Sequence, residues 1–188
     1  MNTMTKFSGL SFIKKAIDVP VQMQLGFLSD KLQNKCKWGK LNRSVIYDNI
    51  HLPPTDIWYE YQWHNTVDIY NQIMRKTSSK FPPKFPSRLL LLKSDKNDKD
   101  FHQNDLHNSD KTLPLMTVYV GNDRNLSVKS NNVCENIFIE SGDALIFNND
   151  FNDMNNLQFK YTSIKSNSGP KEISQIIGDN VLYFTFRT

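Results

Sequence analysis

The sequence predicts an α+β fold, with helices first and a β-sandwich or jelly-roll core after them. Three observations carry this reading. Residues 18–36 place Val21, Leu25, Leu28 and Leu32 at three-to-four spacing, which is the apolar stripe of a helix. Residues 65–80 do the same with Val67, Ile69, Tyr70, Ile73 and Met74. From residue 88 onward the period falls to two, and short apolar–polar alternations lie between turn-rich pieces. Helices segregated from closely spaced strands pack on antiparallel sheet layers.

Each element has a local reason. Asn65 or Thr66 is expected to cap the second helix, and Pro82, Pro83 and Pro86 end it. The expected strands are "RLLLLK" 88–93, "PLMTVYV" 114–120, "NLSVK" 125–129, "NIFIE" 136–140, "DALIF" 143–147, "LQFKYTSI" 157–164 and "VLYFTFR" 181–187. Residues 94–112 are almost wholly polar, about as long as an ordered loop becomes without being functional or mobile. Gly142-Asp143 reads as a turn before a strand.

Composition narrows the function classes. The chain has 188 residues, enough for one domain with a substantial core. Cys36 and Cys134 are too few for a disulfide framework or a zinc site. No apolar run approaches the ~20 residues of a membrane helix, so no membrane is expected. The opening "MNTMTKFSGLSFIKK" lacks the apolar core of a secretory signal, so the cytosol or nucleus is the expected compartment.

Net charge is +4, and the surplus is concentrated in residues 1–50, which hold eight Lys and Arg against three Asp. Within it, "KCKWGK" sets Trp38 among Lys35, Lys37 and Lys40, with Arg43 just beyond. These residues suit phosphate contact with stacking on single-stranded RNA or DNA. They equally suit a helix end, with cations near the C-terminal dipole and Gly39 as terminator. Trp58, Tyr59, Tyr61 and Trp63 form an aromatic cluster expected just before the second helix. Such rings stack on bases, or pack a helical layer onto a sheet.

The pieces "RLLLLK", "FHQND", "PLMTVYVG", "ESGDALIF" and "YFTFRT" occur in an order that resembles the AlkB-like family of Fe(II)/2-oxoglutarate dioxygenases. The resemblance covers roughly residues 65–188. It implies a double-stranded β-helix core over 65–188, with 1–64 as an N-terminal helical region forming a nucleotide-recognition lid, its helices packed on one sheet. It also implies an Fe(II) held by two His and a carboxylate, which leaves positions open for 2-oxoglutarate and oxygen.

The motif residues depart from that chemistry. The first imidazole falls on His102, but the carboxylate position holds Asn104. Asp105 is one residue further on, and on extended backbone it leaves the face of His102. Thr162 stands at the distal His position, and no His follows His107. At the closing strand Val181 and Tyr183 replace the family's Arg and Asn, which leaves Arg187. The Leu-x-Asn-x-Tyr strand reads Leu89-x-Leu91-x-Lys93. Lys93 and Arg187 are therefore the candidate anchors for a 2-oxoglutarate carboxylate, and His102 and Asp105 the candidate metal ligands.

Two functions stay open. One is a catalytically degenerate AlkB-like domain with no cofactor, acting by binding nucleic acid or a protein partner. The other is an active Fe(II)/2-oxoglutarate nucleic-acid demethylase with an unusual metal site.

Overall fold

The computed structural model describes residues 2–5, 7, 9–35, 44–48, 57–76, 88–94, 101–102, 115–130, 133–147, 158–164 and 168–187. In chain order the elements are β1 (Asn2–Met4), β2 (Leu10–Ile13), α1 (Val19–Lys35), β3 (Ser44–Asp48), α2 (Ile57–Lys76), β4 (Arg88–Ser94), β5 (Phe101–His102), β6 (Leu115–Gly121), β7 (Arg124–Ser130), β8 (Val133–Ile139), β9 (Ala144–Phe147), β10 (Gln158–Ser163), α3 (Lys171–Ile177) and β11 (Val181–Arg187).

The strands form two antiparallel sheets. One has seven strands in the order β1-β2-β9-β6-β11-β4-β3, and the other has four in the order β5-β10-β7-β8. β6 explains how they pack. Every residue of it is buried, so both its faces are covered. Met116, Val118 and Val120 join a core with Leu25 and Leu28 of α1, Val67, Ile69, Tyr70 and Ile73 of α2, and Ile173 and Ile177 of α3. Leu115 and Tyr119 join a second core with Leu126, Val128, Ile137, Ile139 and Tyr161 of the four-stranded sheet. The molecule is thus layered as helices, seven-stranded sheet and four-stranded sheet. Among the described residues no helix is long and apolar enough to cross a membrane.

Each strand expected from the alternation is present, with ends moved by up to three residues. The first helix also stands where the periodicity put it. Asp18 starts it by accepting a hydrogen bond from the Val21 backbone N–H at 3.1 Å. Gly26 lets α3 approach closely, because a Cβ there would lie 3.2 Å from Ile176 Cγ2.

The second helix is longer than expected at its start. It begins at Ile57, so Asn65 and Thr66 lie inside it and cap nothing, and Thr66 is buried. The physical reason is the absence of any Pro or Gly from Ile57 to Lys76. The aromatic run 58–64 is therefore the first part of α2 and not a segment preceding it. The boundary drawn at 64/65 falls within this helix. Residues 1–64 also supply β1 and β2 to one edge of the seven-stranded sheet and β3 to the other.

Candidate functional site

Val181 and Tyr183, which stand at the co-substrate positions of the family pattern, are both buried in the core between the two sheets. That interior is the site the resemblance designates. Its centre is three tyrosines. β6, β10 and β11 each place one phenol inward: Tyr119, Tyr161 and Tyr183, all essentially fully buried. The Tyr119 and Tyr161 hydroxyls are hydrogen-bonded to each other at 2.8 Å. Their rings lie 5.9 Å apart, with Tyr183 edge-on to both at 5.4 and 5.1 Å. These are favourable tilted and edge-to-face separations for aromatic pairs. Beside them the Thr117 and Thr185 hydroxyls pair at 3.0 Å across β6 and β11.

Burial pushes the Tyr119 and Tyr161 hydroxyls well above the ordinary phenol range. Both stay neutral at any physiological pH. Their hydrogen bond is one between neutral groups, of structural strength.

Tyr119 is tied through its backbone to the Gly142-Asp143 turn. Asp143 is fully buried. Its carboxylate accepts from Lys14 Nζ at 2.9 Å, the Lys15 backbone N–H at 2.9 Å and the Glu140 backbone N–H at 2.8 Å. Gly142 has φ +90°, and a Cβ there would come within 2.6 Å of the Ile17 carbonyl. Its N–H donates to the Tyr119 carbonyl, and the Tyr119 N–H donates to the Asp143 carbonyl. The turn therefore locks Tyr119 and the β2–α1 connection to one point. Burial lowers the Lys14 pKa, but its hydrogen bonds to Glu140 and Asp143 and their charges outweigh this and hold it above the ordinary value. A cleft of about 570 Å³ opens next to this turn, between Lys15, Asp18, Lys76, Asp123 and Glu140. Burial and the Glu140 charge raise the Asp123 carboxyl within it.

The sequence-derived candidates are placed as follows. Thr162 is exposed on β10, and its neighbour Tyr161 is the residue that faces the interior. His102 stands in register opposite Lys160, an exposed position, while Phe101 stands opposite Tyr161. Lys93 is opposite Leu182, which belongs to the helix-side core, while Leu92 is opposite Tyr183. Arg187 closes β11 between Arg88 and Leu115. Lys35 ends α1. Asn104, Asp105, Lys37, Trp38, Lys40 and Arg43 lie outside the described residues.

The tyrosine cluster and the buried Asp143 anchor were missed by motif spacing. The strand alternation carried the signal for the first. In Gln158-Phe159-Lys160-Tyr161-Thr162 the polar residues take one parity and the aromatics the other.

Iron of this chemistry needs imidazole and carboxylate donors. The described inward side chains offer neutral phenols, threonine and serine hydroxyls, the buried Arg124 guanidinium, which donates to Ser163, and hydrocarbon; the His102 side chain, Asn104 and Asp105 lie outside that set.

The arrangement of layered sheets and helices is shared with solved structures. The chain is similar to the structure of OsALKBH1, with a TM-score of 0.63 and 17% identity over 100% of both chains. It is also similar to the crystal structure of a Pseudomonas putida prolyl-4-hydroxylase, with a TM-score of 0.50 and 9% identity over 95% of this chain and 92% of that one. No family model and no curated protein matches the sequence. At these identities the likeness is one of fold.

Proposed function

We propose that this is an AlkB-like, double-stranded β-helix protein that no longer performs dioxygenase chemistry and acts by binding, in the cytosol or nucleus. Tyr161 carries the proposal. It occupies the inward position of β10 next to the sequence-derived ligand position, and its hydroxyl is bonded to Tyr119. The strand expected to bring an imidazole brings this ring, packed against two others. Asn104 in place of the first carboxylate, and Val181 and Tyr183 in place of a charged and an amide co-substrate contact, agree with it. Neither iron nor 2-oxoglutarate is then a cofactor, and Lys93 and Arg187 serve the strands that carry them.

The bound partner we favour is single-stranded RNA or DNA, on the strength of the basic surplus in residues 1–50. The experiment is a Mn(II) titration of the full chain, followed by the paramagnetic signal of the free ion. Binding weaker than the micromolar range is expected. Micromolar binding that disappears in His102→Ala would restore the reading of an active demethylase built on His102 and Asp105.

A further inference from the structure

The outward face of the four-stranded sheet is the part of the molecule that the fold class leaves unexplained. Strand register sets out its side chains in rows. Asn125, Phe138 and Thr162 share one row, and Ser127, Asn136 and Lys160 the next. Lys129, Cys134 and Gln158 make the third. A solvated sheet face is polar as a matter of course, so polarity alone says nothing. Two features do. These three rows hold two lysines and no Asp or Glu, and Asp123 and Glu140, the latter bonded to Lys14, flank them beyond the Phe138 row. The face also exposes Phe138 by 46%, one of four large apolar side chains so exposed among the described residues.

Phe138 has a second neighbour that fits. The Lys14 ammonium sits 5.2 Å from its ring centroid and donates to its backbone carbonyl at 3.0 Å, which fixes the ring's base and leaves its outer side to solvent. Lys129 and Lys160 are diagonal neighbours on adjacent strands, about 7–8 Å apart at the backbone. The same three rows carry three amides and two hydroxyls, groups that meet base edges with either donors or acceptors. Aromatic ring, cations and amides on an open antiparallel sheet are the chemistry that takes unpaired bases and their phosphates.

We infer that this face binds single-stranded nucleic acid, with Phe138 stacking on a base and Lys129 and Lys160 meeting phosphates. The inference rests on the binding function proposed above and assigns it to residues other than those of the 35–43 segment.

The test is fluorescence anisotropy of the full chain with labelled oligouridylate and oligothymidylate across a salt series. Phe138→Ala is expected to weaken binding about tenfold without changing the salt slope. Phe138→Trp keeps a stacking ring and is expected to retain it. Lys129→Gln with Lys160→Gln is expected to flatten the slope by about 1.4, at ~0.7 for each phosphate contact. If these variants bind as the unmodified chain does, while Lys35→Gln, Lys37→Gln and Lys40→Gln together abolish binding, the face is wrong and the nucleic-acid reading stands. If the unmodified chain binds neither oligonucleotide below ~10 μM at low salt, the nucleic-acid reading fails and this face with it. A protein partner then takes its place.

Discussion

On its helix side the seven-stranded sheet presents Met116, Val118, Val120, Ala144, Ile146, Leu182, Phe184 and Phe186. On the other side, alternate residues of the same strands present Thr117, Tyr119, Tyr183 and Thr185 among the apolar ones. The backbone is shared, so the difference lies in what each face serves. The hydrocarbon face exists to hold three helices, and hydrocarbon does that with no polar atom to satisfy. The inter-sheet face carries hydroxyls, and two pairs of them satisfy each other: Thr117 with Thr185, and Tyr119 with Tyr161. A face built only for packing has no need of such pairs.

The comparison sharpens under substitution. Phe184→Ala on the helix side removes a fully buried ring and is expected to cost about 3–5 kcal/mol, read from the urea midpoint. A loss under about 1 kcal/mol would mean that the helical layer is loosely held.

Alkaline pH strains both faces through their tyrosines. Burial raises Tyr70 from 10.0 to about 12, and raises Tyr119 and Tyr161 well above the ordinary phenol range. Below pH 10 these phenols are protonated in folded and unfolded chains alike, and their contribution is intact. Above it the unfolded chain releases its protons first, so stability falls as pH rises towards and through 12. Melting temperature should therefore drop steeply from about pH 10 upward. The phenolate absorbance of these residues should appear only together with unfolding.

Tyr119→Phe keeps the ring and removes one partner of the Tyr119–Tyr161 bond. About 1 kcal/mol is expected by denaturant titration, far less than the loss of Phe184. Tyr70→Phe is the smallest change and has the opposite sign. The Tyr70 hydroxyl is buried on the helix side with no hydrogen-bond partner among the described residues, and its ring lies 5.6 Å from Phe186. Removing that oxygen should leave stability unchanged or raise it by up to about 1 kcal/mol.

Much of this architecture was legible in the residues, because periodicity reports burial. The strands from 88 onward and the helix from Val19 to Lys35 follow from it. The short β1, β2 and β5 were not picked out by the alternation. β3 had a usable signal in Ser44-Val45-Ile46-Tyr47, but it was hidden in the basic segment. The site was legible only in outline. Motif spacing led to Thr162, one residue from Tyr161, and on a strand one residue is the whole difference between interior and solvent. Lys93 beside Leu92 shows the same one-step offset in its pairing across β11. Asp143 was read as a turn residue, and its burial depends on Lys14, which is 129 residues away and beyond any local pattern.

The measurement that tests the central claim most directly is succinate formed from 2-oxoglutarate by the full chain with Fe(II) and ascorbate, with and without methylated single-stranded oligonucleotides. The account predicts no succinate above that released without protein. Succinate that scales with protein, rises with the oligonucleotide and vanishes in His102→Ala would contradict it.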